Sequence, residues 1–234
     1  MIGLQHIKAV VRGEILFQAD EVFFPKGSLT ALLGRNGSGK STLLKAIAGL
    51  ESLVYGSVSL EGEIHQFQKN YFPSPLVSYI PVKIEPFGAI TLFDFVLSGG
   101  AQQRGFMDIP SIDEQNKVLD LLAQFNIKSM AYDAFENLSD GEQKMALILR
   151  SIHKNAQILL LDEPESFLDV GNRRTVFRLL KELANQGKTI VFSTHHPDLA
   201  ANYVNQFLAI HEQKLSLHPV NSYNDLVQLL FEEH

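Results

Sequence analysis

The chain has 234 residues, 45% of them hydrophobic and 20% charged, with a formal net charge of −6. That length buries a sizeable core and suits one domain with a subdomain, while the acidic balance gives no electrostatic footprint for duplex DNA or RNA. With no cysteine, disulfides, thiolate metal sites and thiol nucleophiles are all excluded.

Leu4 to Val11 and Glu21 to Phe24 read as short strands rich in β-branched and aromatic residues. Leu29 to Leu33 is a nearly continuous apolar run, the pattern of a strand covered on both faces. It leads into Gly34-Arg35-Asn36-Gly37-Ser38-Gly39-Lys40-Ser41-Thr42, which fits G-x-x-x-x-G-K-[ST] without mismatch, and then into a helix-like run from Leu43 to Leu50. The glycines let successive backbone N–H groups turn inward as an anion nest, which the positive helix end reinforces. Lys40 adds a point charge for β- and γ-phosphates, and Ser41 offers a hydroxyl to Mg²⁺. A nucleoside triphosphate site is the inference, with Gly34, Asn36, Gly37, Ser38, Gly39, Lys40, Ser41 and Thr42 as its binding residues.

Gly56 to Leu60 alternates and leads to Glu61-Gly62, a hairpin turn, and Val77 to Ile80 is a strand halted at Pro81. From Pro86 to Arg150 the periodicity becomes helical. Leu92, Phe93, Val96 and Leu97 share one face, and Val118, Leu119, Leu121, Leu122 and Phe125 form a second stripe behind the capping-type start Ser111-Ile112-Asp113-Glu114. Both stripes read as core faces. Leu138-Ser139-Asp140-Gly141-Glu142-Gln143 opens a further helix, with Ser139 as cap and Glu142 completing the box. A capped helix start is also an anion site.

After Gln157 the chain alternates strand Ile158 to Leu161, helix Gly171 to Asn185 and strand Thr189 to Phe192, with a short amphipathic helix from Asp225 to Phe231. Such alternation implies right-handed crossovers and a parallel sheet. The organisation is an α/β nucleotide core, residues 1–85 and 151–234, interrupted by a helical insertion over 86–150. Asp162 and Glu163 follow the apolar strand Ile158 to Leu161, at the end that faces the ligand crevice in open α/β sheets. Asp162 suits Mg²⁺ held through its water shell. Glu163 is placed to orient or deprotonate an attacking water, help worth about 10²–10⁴ in rate. His195 also follows a strand end and is a catalytic candidate. His196 precedes Pro197-Asp198 and reads as a local cap or surface residue. The other six histidines show no H-E-x-x-H or similar ligand spacing.

The order of phosphate loop, LSDGEQ, ILLLDEP and Ser193-Thr194-His195 resembles the nucleotide-binding subunits of ATP-binding-cassette (ABC) transporters, along essentially the whole chain. The resemblance implies a P-loop NTPase fold, a RecA-like parallel core with an antiparallel β subdomain and an inserted α-helical subdomain. It implies ATP and Mg²⁺ as ligands, and a head-to-tail dimer of two copies. ATP on the Lys40 loop of one copy is then covered by Ser139, Gly141 and Glu142 of the other. Ser166-Phe167-Leu168-Asp169 matches the loop through which the two sites communicate, with Asp169 its key residue, and His195 matches the switch histidine at the γ-phosphate. Thr91 to Val96, the LSDGEQK form and Asn172-Arg173 are similar to importer subunits for iron-siderophore, haem and cobalamin uptake. The implied partners are a transmembrane permease and, indirectly, a periplasmic or surface binding protein, with no nucleic acid.

The amino terminus lacks the plan of a secretory signal and no run approaches the roughly 18 apolar residues of a span, so a cytosolic chain is expected; the resemblance implies a place on the cytoplasmic face of the membrane, held there by the permease. Alternatives are a soluble cassette ATPase acting on ribosomes or DNA, and a slow regulatory subunit that closes on ATP. Three positions depart from the family pattern. Val82 stands where a glutamine usually follows Tyr79-Ile80-Pro81, leaving Lys83 or a water to substitute. Asp140 replaces a signature glycine. The region of the adenine-stacking aromatic holds Val10-Val11-Arg12, with Phe17 the nearest ring.

Overall fold

The computed structural model describes residues 1–52, 54–67, 73–83, 88–102, 109–166, 168 and 170–231. Among the described residues, one ten-stranded sheet organises the molecule. Its strands are β1 (Ile2–Val11), β2 (Glu14–Phe24), β3 (Leu29–Gly34), β4 (Val54–Leu60), β5 (Glu63–Gln66), β6 (Val77–Ile80), β7 (Ile158–Leu161), β8 (Thr189–Ser193), β9 (Gln206–His211) and β10 (Lys214–Pro219). They lie side by side in the order β5-β4-β1-β2-β10-β9-β3-β8-β7-β6.

Two textures meet in that sheet. From β9 through β3, β8 and β7 to β6 the neighbours are parallel, and β3, β7 and β8 are buried at every residue. Strands covered on both faces read as continuous apolar runs, which is why these were visible in the sequence. The pairs β1/β2, β1/β4, β4/β5 and β9/β10 are antiparallel. The turn Arg12-Gly13 between β1 and β2 has both residues at positive φ, as does Glu61-Gly62 between β4 and β5, matching the right-handed twist of a two-residue hairpin.

The helices are α1 (Lys40–Ile47), α2 (Leu92–Leu97), α3 (Ile112–Gln124), α4 (Asp140–His153), α5 (Val170–Asn185), α6 (Pro197–Ala200) and α7 (Tyr223–Phe231). Thr91 caps α2 and Ser111 caps α3, each accepting from the backbone N–H three residues on. At α4, Ser139 and Glu142 form a reciprocal capping box, so two of the helix's free N–H groups are satisfied locally. Helices α2 to α5 share one apolar cluster with one face of the parallel strands, while α1, β1, β2 and β4 build the cluster on the other side.

Some sequence expectations change. The strand expected from Glu21 begins at Glu14, because pairing with β1 carries polar Glu14 and Gln18 into the ladder. The helix expected from Leu43 starts at Lys40. The hairpin β9/β10 was not foreseen at all. No helix among the described residues is long and apolar enough to cross a membrane.

Candidate functional site

Strand β3 delivers Gly34 and helix α1 begins at Lys40, so the glycine-rich turn hangs between a buried strand and a helix start. Gly39 caps α1 at φ +99°, and a Cβ there would lie 2.9 Å from Phe17 Cδ1. Both the left-handed backbone and the close ring require glycine. Phe17 is itself fully buried. It is packed beneath the phosphate loop and is not available to stack on a base.

Lys40 Nζ donates to the carbonyls of Gly34 (2.9 Å) and Arg35 (3.3 Å), which holds the ammonium over the turn. Burial lowers its pKa, and the carboxylates of Glu163 and Asp162 pull the other way. Ser38 Oγ is buried with no hydrogen-bond partner among the described residues. A nest of amides, an unassigned hydroxyl and an ammonium make a donor set that fits a polyphosphate.

Asp162 follows β7 and is 3% exposed. Its backbone N–H donates to Ile80 O at 2.8 Å, and its Oδ2 accepts a long bond (3.4 Å) from the Tyr79 hydroxyl. Burial raises the Tyr79 pKa well above the ordinary phenol value, and the neighbouring carboxylate adds to the shift. Ser193, at the end of β8, donates to Asp162 Oδ1 at 2.6 Å and accepts the Glu163 N–H at 3.0 Å. Carboxylate oxygens here and the hydroxyl of exposed Ser41 are the ligand type a hard cation such as Mg²⁺ takes.

Glu163 sits at φ +47° and its Oε1 lies 2.8 Å from His195 Nε2. Beneath this pair Glu165 is 2% exposed. It accepts from Thr194 Oγ1 and from the His195 N–H at 3.2 Å, while its Oε2 has no partner among the described residues. Burial raises the Glu165 pKa, and those hydrogen bonds oppose the rise.

These parts converge because β8 lies between β3 and β7. A cavity of about 350 Å³ has Asn36, Gly37, Gly39, Lys40, Ser41 and Thr42 on one wall and Glu163 and His195 on the other. A second cavity, about 280 Å³, shares Leu16, Asn36 and Gly37 with it and continues to Ile15 and Ile210. Its apolar wall is the aliphatic set Ile15, Leu16 and Ile210, with the His211 imidazole beside it.

Ser139, Gly141 and Glu142 are not part of this group. They line a separate cavity of about 480 Å³ together with Leu168 and Asn172. A Cβ on Gly141 would meet Leu168 Cδ2 at 2.6 Å, so the signature turn and the loop after Glu163 touch within one copy. Asp169 lies outside the described residues.

Sequence reasoning missed Ser193 as a positioning group, although it opens the quoted Ser193-Thr194-His195 run. His196 stands at the N-cap of α6, as expected, and its carbonyl accepts the Ala200 N–H at 3.0 Å, but its side chain makes no cap hydrogen bond among the described residues. His196 Nε2 lies 2.8 Å from Arg173 Nη1, and because a guanidinium can only donate, that nitrogen is the acceptor. Arg173 Nε donates to Leu168 O at 2.8 Å. Lys83, one of the suggested substitutes at the Val82 position, is exposed.

The ABC transporter family profile matches residues 18–166. The molybdate import ATP-binding protein MolC of Haemophilus influenzae is 32% identical over 199 residues, 85% of this chain and 74% of that protein. The achromobactin transport ATP-binding protein CbrD of Dickeya dadantii is 31% identical over 194 residues, 82% and 72% of the two chains. Among solved structures, a chain of an inward-facing transporter assigned to the metal-chelate ABC type superposes with a TM-score of 0.79 at 27% identity, over 97% of this chain and 88% of that one. Profile, relatives and fold agree over most of the sequence: this protein is an ATP-binding subunit of the ABC transporter family.

Proposed function

We propose that the chain hydrolyses ATP to ADP and phosphate and couples the cycle to import through a separate permease. The observation that carries this reading is the cavity with the phosphate loop on one wall and Glu163 and His195 on the other. Phosphoryl transfer asks the protein mainly for positioning and charge neutralisation. Lys40, the amides of residues 34 to 42 and Ser38 hold the phosphates. Ser41 and Asp162 hold Mg²⁺, which when bound neutralises charge on the β- and γ-phosphates. Glu163 orients and deprotonates the water, and His195 contacts the γ-phosphate.

Ser139, Gly141 and Glu142 complete the site of a second copy, a role supported by their separation from the phosphate cavity of their own chain. Asp169 carries communication between the two sites, and residues 86–150 are the helical subdomain that carries the signature motif. The likeness to a transporter of the metal-chelate type supports import of a chelated metal, such as an iron complex. The permease then holds the subunit at the cytoplasmic face of the membrane and receives cargo from an external binding protein.

Glu163→Gln tests the reading. Mg-ATP binding should persist while turnover falls about 10²-fold or more, and the ATP-bound dimer should accumulate on size-exclusion chromatography. Lys40→Ala should lose nucleotide affinity itself. Wild-type turnover in Glu163→Gln would remove Glu163 from the chemistry.

A further inference from the structure

Lys144 is the fifth residue of α4 and is 2% exposed. Its Nζ donates to Pro81 O at 2.6 Å and to Val82 O at 3.0 Å. Burial pushes its pKa down to about 8, against the opposing fields of Asp162, Glu165 and Glu163. An ammonium hidden this deeply costs folding free energy unless its hydrogen bonds and counter-charges offset the lost water.

The two carbonyls it grips have a specific place. They follow Ile80, the last residue of β6, and Ile80 O is the acceptor for the Asp162 N–H at 2.8 Å. A short covalent and hydrogen-bonded path therefore runs from the capping box of Ser139 along α4 to Lys144, across to Pro81 and Val82, and through Ile80 to Asp162. Val82 brings no side-chain donor or acceptor to this junction, and the contact is made instead by its backbone.

We propose that Lys144 is a positioning residue that clamps the backbone leaving β6 to the signature helix, so that the placement of α4 sets the placement of the Asp162 end of the phosphate cavity. Its consequence for turnover rests on the hydrolytic reading above, whereas the clamp itself is a property of the free chain.

The experiment compares the full chain with Lys144→Met, which keeps length and loses the donors, and Lys144→Arg, which keeps donors and charge. Hydrogen exchange of peptides covering residues 77–83 is measured without nucleotide. Turnover of Mg-ATP and affinity for a fluorescent ATP analogue are measured beside it. In Lys144→Met, exchange over 77–83 should quicken about tenfold and turnover should fall about tenfold, with analogue affinity within about threefold. Lys144→Arg should recover most of both. Unchanged exchange in Lys144→Met overturns the clamp. So does faster exchange spread evenly over the core, with Lys144→Arg no better, since that marks a packing defect alone. A wild-type chain without turnover whose 77–83 exchange still responds supports the clamp and overturns the hydrolytic reading. If Lys144→Met does not fold, Lys144→Gln serves the same comparison.

Discussion

Ser193 Oγ spans the two adjacent carboxylate residues, donating to Asp162 Oδ1 at 2.6 Å and accepting the Glu163 N–H at 3.0 Å. One hydroxyl thus fixes a side chain and a backbone at once. Ser193→Ala strips both contacts from a buried site, and unsatisfied buried groups cost about 1–3 kcal/mol. The variant should melt earlier and need several-fold more Mg²⁺ for half-maximal turnover, read by thermal unfolding and a Mg²⁺ titration. An unchanged Mg²⁺ requirement would free Asp162 from dependence on Ser193.

The glycines of the phosphate loop should not be equivalent. Gly37 and Gly39 both have positive φ, but only Gly39 faces an obstacle, the Phe17 ring at 2.9 Å; an added Cβ at Gly37 meets nothing within 4 Å. Alanine at Gly37 should cost the left-handed strain alone, about 1–2 kcal/mol. Gly39→Ala should cost more, because the ring beneath must also move. Chemical denaturation without nucleotide gives the order directly, and equal losses would contradict it.

Val82→Gln should raise basal ATPase activity, since it adds a donor and acceptor beside a backbone already held by Lys144. Steady-state hydrolysis by purified wild type and variant is the check, and identical kinetics would count against it.

Stability should depend on pH through Lys144. Its folded pKa is near 8 and its unfolded value 10.5, so between those values the unfolded chain binds more protons and stability rises with pH. Below pH 8 the burial penalty is present in full. Lys40, Lys154 and Lys188 shift the same way, and the raised Tyr79 pKa acts oppositely above pH 10. Comparison with Lys144→Met isolates the residue. From pH 7.5 to 9.5 the wild type should gain about 1–2 kcal/mol relative to the variant in urea unfolding, and parallel curves would place the Lys144 pKa near its ordinary value.

The parallel half of the molecule was the legible half. Buried strands such as β3 and β7 are uniform apolar runs, and the caps at Ser111 and Ser139 carry their own chemistry in four residues. The β9/β10 hairpin turns through Glu212-Gln213, both at positive φ without a glycine or asparagine; the strand pairing imposes what the turn residues do not announce. In the same way Phe17 was an aromatic in the right stretch, and only its packing under Gly39 shows that its ring is already committed. Lys144 was read as one residue of a motif. Its partners, Pro81 and Val82, lie more than sixty residues away, and no local pattern couples them.

The outermost strands of the sheet, β5 and β6, are four residues each. So short a rim offers little backbone for another chain to zip onto. Self-association by ribbon extension, the route that feeds fibrils, is thereby discouraged on both flanks. What the sheet leaves open is its tips, where the glycine cradle and the histidine turn stand on the walls of one cavity.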